Sequence, residues 1–323
     1  MFGSTLRKML QALSFESTVP RRFVHRQSVS EVYLTDSVPS GGVGRFRLGA
    51  QWPRQHAFYR TCTDRYDTML LAETARQCAI YLAHMHYSVP LAHRFTMQTM
   101  RVESNLDRLT VGPRPADVVI DARVTEQARR RGRLSAFSVD VDFHIDGEVA
   151  GRALAAANVL TVDEYERVRW SGDRAPSVGL VPQPDPVSPA AVCAPDTLAV
   201  VLGVHPSGPG RGRWPLRVDL THPVLFDHPS DHVPGAVVLE AARQSARLRL
   251  GRPCADVESL VMRFRRFLEL DEPTIVATTL RRDEEDCVGV EFSQWGQTKV
   301  SGTVLLSPST AGHGHPDVGS HRA

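Results

Sequence analysis

One short pattern that occurs twice constrains what this chain can fold into. The pattern is Glu-x-x-Arg-Gln, which begins at Glu73 and begins again 167 residues later at Glu240. In an α-helix the three named positions lie on one face, and apolar residues surround both copies, which predicts two buried helices. A buried Glu or Arg needs a partner, because an unpaired buried charge is costly. The six residues are Glu73, Arg76 and Gln77 in the first copy and Glu240, Arg243 and Gln244 in the second.

The order of predicted elements repeats around the two motifs. Each half reads as strand, polar loop, long apolar helix and then several antiparallel strands. The helices are predicted over 67–86, with Asp67 or Thr68 as N-cap, and over 235–250, with Gly251 after the last turn. The strands are predicted at 24–36, 45–52, 94–106, 117–126, 133–145 and 148–161 in the first half, and at 216–220, 256–270, 273–281, 287–295 and 299–306 in the second.

An all-round apolar helix enclosed by a curled antiparallel sheet is the hot-dog arrangement. We therefore expect an α+β double hot-dog fold, with the two sheets side by side around a pseudo-two-fold axis. The predicted divisions are a loosely ordered leader (1–22), a first hot-dog domain (23–169), a proline-rich linker (170–196), a second hot-dog domain (197–306) and a disordered tail (307–323). Because the duplication supplies the usual hot-dog dimer, either a monomeric pseudo-dimer or a homodimer is possible.

Composition limits the remaining classes. The net charge is +2 and no DNA-recognition motif occurs, so nucleic acid is not an expected partner. The five cysteines are odd in number and scattered, which supports neither a disulfide framework nor a metal site. No secretory signal and no apolar run of about 18 residues is evident, so we expect a cytoplasmic protein without a membrane span. The chain lacks a phosphate loop and a GxGxxG motif, so no cofactor is implied.

Four spaced motifs follow one another along the chain: 24–26 (VHR), 52–59 (WPRQHAFY), 70–77 (LLAETARQ) and 227–244 (DHPSDHVPGAVVLEAARQ). Together they resemble the A-factor biosynthesis family, the γ-butyrolactone synthases of Streptomyces-type bacteria. The resemblance covers roughly residues 22–306. It implies transfer of a β-ketoacyl group from acyl carrier protein to the hydroxyl of dihydroxyacetone phosphate, followed by cyclisation of the ester to a butenolide phosphate.

The second helix is the better candidate for chemistry, because a Pro-Gly turn precedes it. Glu240 could act as general base, and the Arg243 guanidinium suits a phosphate. Gly235 would let the helix N-terminus approach a thioester oxygen. We hypothesise that bound phosphate draws Arg243 away from Glu240 and restores its basicity.

The first helix and the polar loops supply the other candidates. Glu73 is a possible second catalytic carboxylate, and packing or tunnel support is its alternative role. By analogy with hot-dog dimers, the loop residue His56 would face Glu240, and His228 or His232 would face Glu73. The predicted substrate-binding residues are Arg54, His56, Arg76, Gln77, His228, His232, Gly235 and Gln244.

Other functions are compatible with the same fold. The stretch 233–244 also resembles the central-helix entry of hot-dog β-hydroxyacyl dehydratases, and His228 would fall near their catalytic His, although their His-Phe-Pro-Gly string is missing. A dehydratase, an acyl thioesterase and a non-catalytic acyl-binding or regulatory protein are therefore the alternatives. An acidic carrier protein would need a basic face, for which 129–133 and Arg263, Arg265 and Arg266 are candidates.

Overall fold

The structure is a computed structural model that describes residues 13–170, 181–205, 212–281 and 285–308 of the 323. Its four helices are α1 (Thr68–His86), α2 (Val162–Trp170), α3 (Pro189–Val192) and α4 (Gly235–Leu250). The strands are β1 (Leu34–Pro39), β2 (Arg45–Trp52), β3 (Arg94–Ser104), β4 (Ala116–Arg130), β5 (Arg133–Ile145), β6 (Glu148–Leu160), β7 (Arg213–Pro215), β8 (Val257–Phe264), β9 (Ile275–Leu280), β10 (Cys287–Gln294) and β11 (Gln297–Leu306).

All eleven strands form one sheet in the order β1-β2-β4-β5-β6-β3-β8-β11-β10-β9-β7. The two halves meet where β3 pairs antiparallel with β8, at a register that places Met100 opposite Met262. From this seam outward, the first half runs β3-β6-β5-β4-β2-β1 and the second half runs β8-β11-β10-β9-β7. The strands β3, β6, β5, β4 and β2 therefore correspond in order to β8, β11, β10, β9 and β7. The helix α1 packs on β3, β5 and β6, and α4 packs on β9, β10 and β11. This is the predicted α+β double hot-dog fold.

Both central helices form for the reasons that their sequences indicate. Asp67 is the N-cap of α1, and its Oδ1 accepts a hydrogen bond from the Met69 amide at 2.9 Å. The helix α4 has the predicted bounds, and Gly251 follows it with a left-handed φ of 64°, a conformation that glycine adopts without strain. Sixteen residues of α1 are buried, including Glu73 and Gln77, which confirms the all-round burial.

The prediction of a first strand over 24–36 is wrong for most of that range. Short 3-10 turns occupy Arg21–Val24 and Val29–Glu31, and β1 begins only at Leu34. His25 has a left-handed φ of 52°, so the chain bends there and the Arg26 side chain reaches the interior. Part of the predicted leader is also packed, because Val19 is buried and its amide donates to the Leu34 carbonyl.

A helix lies between β6 and the predicted linker at 170–196. The helix α2 was not predicted, although a Thr-x-x-Glu capping box marks its start: Thr161 and Glu164 exchange hydrogen bonds of 2.9 and 3.1 Å. From α2, Arg169 reaches Glu269 in the second half at 2.7 Å. The exact domain boundaries remain predictions, and most of the predicted tail lies outside the described residues.

Two further predictions are wrong. No strand occupies 216–220; the strand is β7, after which the Asp219 side chain accepts from the Thr221 amide and turns the chain. Cys62 and Cys193 form a disulfide across 131 residues, a long-range pairing that the spacing of the cysteines did not indicate. No helix in the described ranges is long and apolar enough to cross a membrane.

Candidate active site

The first motif folds into a carboxylate whose oxygens are fully used. Glu73 accepts from Arg26 Nε at 3.0 Å, from Arg76 Nε and Nη2 at 2.8 Å each, and from Gln77 Nε2 at 2.7 Å. Burial alone would raise the pKa of the Glu73 carboxyl, but the charges of Arg26 and Arg76 outweigh it and lower this pKa to about 2. A carboxylate held in this way is a weak base.

The second motif has the same geometry but fewer cations. Glu240 Oε1 accepts from Gln244 Nε2 at 2.6 Å, and Arg243 Nη2 lies 2.6 Å from Oε2. That ion pair is close but not aligned as a hydrogen bond, so Glu240 Oε2 and Arg243 Nε are buried without a hydrogen-bond partner among the described residues. The Arg243 Nη1 group bonds instead to Asp67, the N-cap of α1. Glu240 therefore shares one arginine with Asp67, and its Oε2 has an ion-pair contact but no aligned hydrogen bond.

The two glutamines have the same structural role in each half. Gln77 Nε2 donates to the Glu31 carbonyl at 2.7 Å, and its Oε1 accepts from the Tyr33 amide at 3.0 Å. Gln244 makes the equivalent bonds to the Ala199 carbonyl and the Val201 amide, at 2.8 and 3.0 Å. Both glutamine side-chain amides are fully buried, and their nitrogen and oxygen atoms are hydrogen-bonded to other groups of the protein. The geometry therefore favours anchoring of the preceding segment to the helix over the predicted role in substrate binding.

A narrow cavity lies between the two central helices and brings Glu73 and Glu240 to one space. It holds about one water molecule, with a volume of ≈ 20 Å³. Met97 of β3 lines it and also lines a larger neighbouring cavity of ≈ 260 Å³ at the N-terminus of α4. The narrow cavity is lined by Phe58, Tyr59, Met69, Ala72, Glu73, Arg76, Met97, Met100, Ala236, Leu239 and Glu240.

The larger cavity combines apolar walls with a basic rim. Its inner part includes Gly235, Val238 and Met97, so that it begins beside the narrow cavity. Its outer part includes Arg265 and Arg266, both exposed. The cavity thus has an apolar interior and positive charge at its opening.

Both ring nitrogens of His56 contact groups of the first half, so its expected position facing Glu240 stays a prediction. Its Nδ1 accepts from the Phe58 and Tyr59 amides at 3.0 Å each, and its Nε2 lies 3.1 Å from the Tyr33 hydroxyl. It shapes the loop that carries Phe58 and Tyr59 to the cavity. Arg54, in the same loop, is exposed and donates to the Gly112 carbonyl, away from Glu240.

The histidines of the second loop occupy separate places. His228 lies next to Asp227, 3.5 Å from its carboxylate, and is close enough to Arg76 for that charge to lower its pKa together with burial, the larger cause. It thus lies near the Glu73 group, one of the two expected arrangements. His232 lies elsewhere, bonded to Asp231 at 2.6 Å on the rim of the larger cavity.

Sequence reasoning missed three participants. Arg26 lies within the VHR motif at 24–26, but no feature of the neighbouring sequence indicates that its side chain reaches Glu73. His222 is the second-half counterpart of His56: its Nδ1 accepts from the Val224 and Leu225 amides, and the Glu240 charge opposes the lowering of its pKa by burial. Asp67 was predicted as an N-cap but not as the partner of Arg243. A histidine lies 17 residues before Glu73 and another lies 18 residues before Glu240, and this repeated spacing could have identified His222.

Comparisons with known proteins agree with this architecture. The family model "A-factor biosynthesis hotdog domain" matches residues 10–161 and again 179–309. A "2-oxo-3-(phosphooxy)propyl 3-oxoalkanoate synthase" of Streptomyces virginiae is 38% identical over 80% of this chain and 85% of its own. The protein of the same name from Streptomyces coelicolor is 35% identical over 84% of this chain and 85% of its own.

Solved structures support the fold alone. An acyl-ACP thioesterase from Bacteroides thetaiotaomicron superposes with a TM-score of 0.52 at 12% identity, over 81% of this chain and 98% of that one. At such identity the likeness carries no information on activity. The two matches to the family model, one in each half, and the identity to the Streptomyces proteins place this chain in the A-factor biosynthesis hot-dog family.

Proposed function

We propose that this protein transfers a β-ketoacyl group from acyl carrier protein to the hydroxyl of dihydroxyacetone phosphate, in γ-butyrolactone biosynthesis of the A-factor type. The ester then cyclises to a butenolide phosphate. The name of the Streptomyces relatives describes such an ester, a 3-oxoalkanoate of a phosphorylated oxopropyl unit. Membership of their family supports the same reaction here.

The observation that carries the proposed mechanism is the buried Glu240 Oε2, which is ion-paired with Arg243 but has no hydrogen-bond partner among the described residues. This oxygen accepts the proton of the acceptor hydroxyl, whose oxygen attacks the thioester carbonyl. Ala236 lies in the first turn of α4 and lines the same cavity, so its amide can donate to the developing oxyanion. The proton then passes to the leaving sulfur, and the carrier departs as a thiol.

The larger cavity gives the acyl thioester a path to Glu240. Its exposed Arg265 and Arg266 would meet the acidic carrier protein, and its apolar wall would hold the carrier arm or acyl chain. Met97 separates this space from the narrow cavity. A methionine is suited to this position because its unbranched side chain changes rotamer easily.

For the acceptor phosphate we propose Arg76 rather than Arg243. Both terminal nitrogens of Arg243 are engaged, by Asp67 and Glu240, and the side chain is only 4% exposed. The Arg76 side chain is 21% exposed, and its Nη1 makes no hydrogen bond within the described residues. His228, half-exposed and nearby, adds a second donor. In this arrangement Glu73 positions Arg76 and does not act as the base.

The test compares Glu240→Gln with Glu73→Gln, using a β-ketoacyl carrier thioester and dihydroxyacetone phosphate. Detection of the phosphorylated ester or butenolide by mass follows the reaction. We expect Glu240→Gln to lower kcat by about 10²–10⁴-fold, the range typical of a lost general base. Glu73→Gln should mainly raise KM for dihydroxyacetone phosphate. The matched control is Glu291→Gln on the exposed face of β10, which should leave both constants unchanged.

The products decide between this function and its alternatives. Free acid without dihydroxyacetone phosphate would indicate a thioesterase, and water loss from a β-hydroxyacyl thioester would indicate a dehydratase. An intact thioester would indicate an acyl-binding protein.

We also propose a cytoplasmic location, where carrier-bound acyl groups would be encountered. We propose that the protein is a pseudo-dimeric monomer, because β3–β8 pairing already joins the two halves.

A further inference from the structure

Three cysteines from distant parts of the chain meet at one place on the surface. Cys62 lies in the loop between β2 and α1, Cys193 directly follows α3, and Cys254 follows α4. Cys62 and Cys193 form the disulfide, and all three sulfur atoms lie within 4.8 Å of one another. Among the described residues, no other group of three His, Cys, Asp or Glu side chains comes together closely enough to share an ion.

Polar side chains hold the three segments together independently of the disulfide. Arg247 of α4 is 1% exposed; it donates from Nη1 to the Val192 carbonyl at 2.9 Å and from Nε to the Ala255 carbonyl at 3.1 Å. It therefore joins the neighbour of Cys193 to the neighbour of Cys254. Burying an arginine costs free energy, and here the buried arginine donates to two backbone carbonyls next to the cysteines.

A second buried group fixes the Cys62 segment to the same place. Asp256 is 5% exposed, and its Oδ2 accepts from Arg65 Nη1 at 3.1 Å and from the Thr63 hydroxyl at 3.3 Å. Thr63 follows Cys62 directly, and Asp256 lies two residues after Cys254. The proximity of the three sulfurs thus persists when the disulfide opens.

We propose that these cysteines form a thiol–disulfide exchange site in which Cys254 competes with Cys62 for Cys193. The Cys254 thiolate attacks the Cys193 sulfur, a Cys193–Cys254 bond forms, and the Cys62–Cys193 bond breaks. Cys62 leaves as a thiolate and takes up the proton that Cys254 has lost. The number of disulfides does not change, so the step needs no oxidant or reductant. Cys62 and Cys254 are exposed, which solvates both the attacking and the leaving sulfur.

Exchange would alter what the disulfide connects. The Cys62–Cys193 bond ties the first-half loop that carries Phe58 and Tyr59 to the second half. A Cys193–Cys254 bond lies within the second half, so the Cys62 segment would then be held by the Asp256 contacts of Thr63 and Arg65 without a covalent bond. Since Phe58 and Tyr59 line the cavity beside Glu240, the position of the bond would control how freely the cavity wall moves.

Mass-spectrometric mapping of the full-length protein tests the proposal without reference to activity. The protein is equilibrated with reduced and oxidised glutathione, quenched with acid, alkylated and digested. We expect wild type to contain both Cys62–Cys193 and Cys193–Cys254 peptides. Cys62→Ser should contain only the second and Cys254→Ser only the first. Cys78→Ser, which removes a buried free cysteine, is the matched control and should behave as wild type.

Three results would overturn the proposal. The first is a Cys62→Ser protein whose Cys193 and Cys254 both remain alkylatable after oxidation, while its urea unfolding matches wild type. The second is wild type in which Cys193–Cys254 never forms, a result that does not depend on the folding of any variant. Protection of all three reduced thiols by added Zn²⁺, with no exchange in its absence, would likewise replace the exchange site with a metal site.

Discussion

The effect of Glu73→Gln on the free energy of unfolding at acid pH tests whether Glu73 is a structural carboxylate rather than a catalytic one. The pKa of Glu73 falls from 4.5 to about 2 in the folded chain, because Arg26 and Arg76 outweigh burial. Each unit of pKa shift corresponds to about 1.4 kcal/mol, so the ionised form contributes about 3 kcal/mol to the free energy of unfolding.

The sign of the pH dependence follows from the direction of the shift. A carboxyl whose folded pKa is depressed contributes its full stability above pH 4.5 and loses it as the pH falls towards 2. About 1 kcal/mol of this contribution should be gone by about pH 3.5. Glu73→Gln lacks the contribution at every pH, and it leaves the buried Arg26 without its carboxylate, which costs about 3–5 kcal/mol at pH 7.

Urea denaturation followed by tryptophan fluorescence measures the effect. The free energy of unfolding is determined at several values between pH 7 and about 3.5 for wild type, Glu73→Gln and the exposed control Glu291→Gln. The gap between wild type and Glu73→Gln should narrow as the pH falls, while the control follows wild type throughout. A gap that stays constant across this range would refute the assignment of Glu73 as an ion-paired structural carboxylate.

Three other perturbations test the packing around the site. Gly302→Ala should lower the free energy of unfolding by more than about 2 kcal/mol, because a Cβ there would lie 1.8 Å from the Val261 carbonyl oxygen. The control is Gly112→Ala, whose added Cβ would have no neighbouring atom within 4 Å, so it should unfold like wild type in the same urea titration. Gln244→Leu removes three hydrogen bonds and should cost about 2–3 kcal/mol by urea unfolding, so an unchanged midpoint would contradict the anchoring role. Met97→Trp should lower kcat/KM for long acyl thioesters by at least about tenfold with little effect on thermal unfolding, and equal turnover of long and short acyl groups would argue against the proposed passage.

The elements whose signals are local could be predicted from the sequence. The bounds of α4 and the start of α1 follow from a capping residue, an apolar run and a terminal glycine, all within a few positions of one another. The strand β5 and the turn after it follow equally well from alternation and an Asp-Gly pair. Repetition of a whole pattern then indicated the double hot-dog fold, because the same local signals in the same order produce the same unit.

The distribution of charge around the two motifs could not be predicted, because it depends on contacts between distant segments. The repeated motif by itself made Glu73 and Glu240 equivalent, and the Pro-Gly turn before the second helix was the local signal that favoured Glu240. Folding brings a second arginine, Arg26, to Glu73 from 47 positions away, and it directs Arg243 to Asp67 across 176 positions. These contacts place two arginines on Glu73, whereas Glu240 has one arginine that it shares with Asp67.

The cysteines show the same division between local and long-range information. Their odd number and scattered positions in the sequence supported neither a disulfide framework nor a metal site. In the fold the ends of α3, α4 and the loop before α1 converge, and the buried Arg247 and Asp256 fix the three thiols side by side. Sequence alone thus determined the repeated unit and its elements. Tertiary structure decided which charges pair and which thiols meet, because those depend on how the two halves pack against each other.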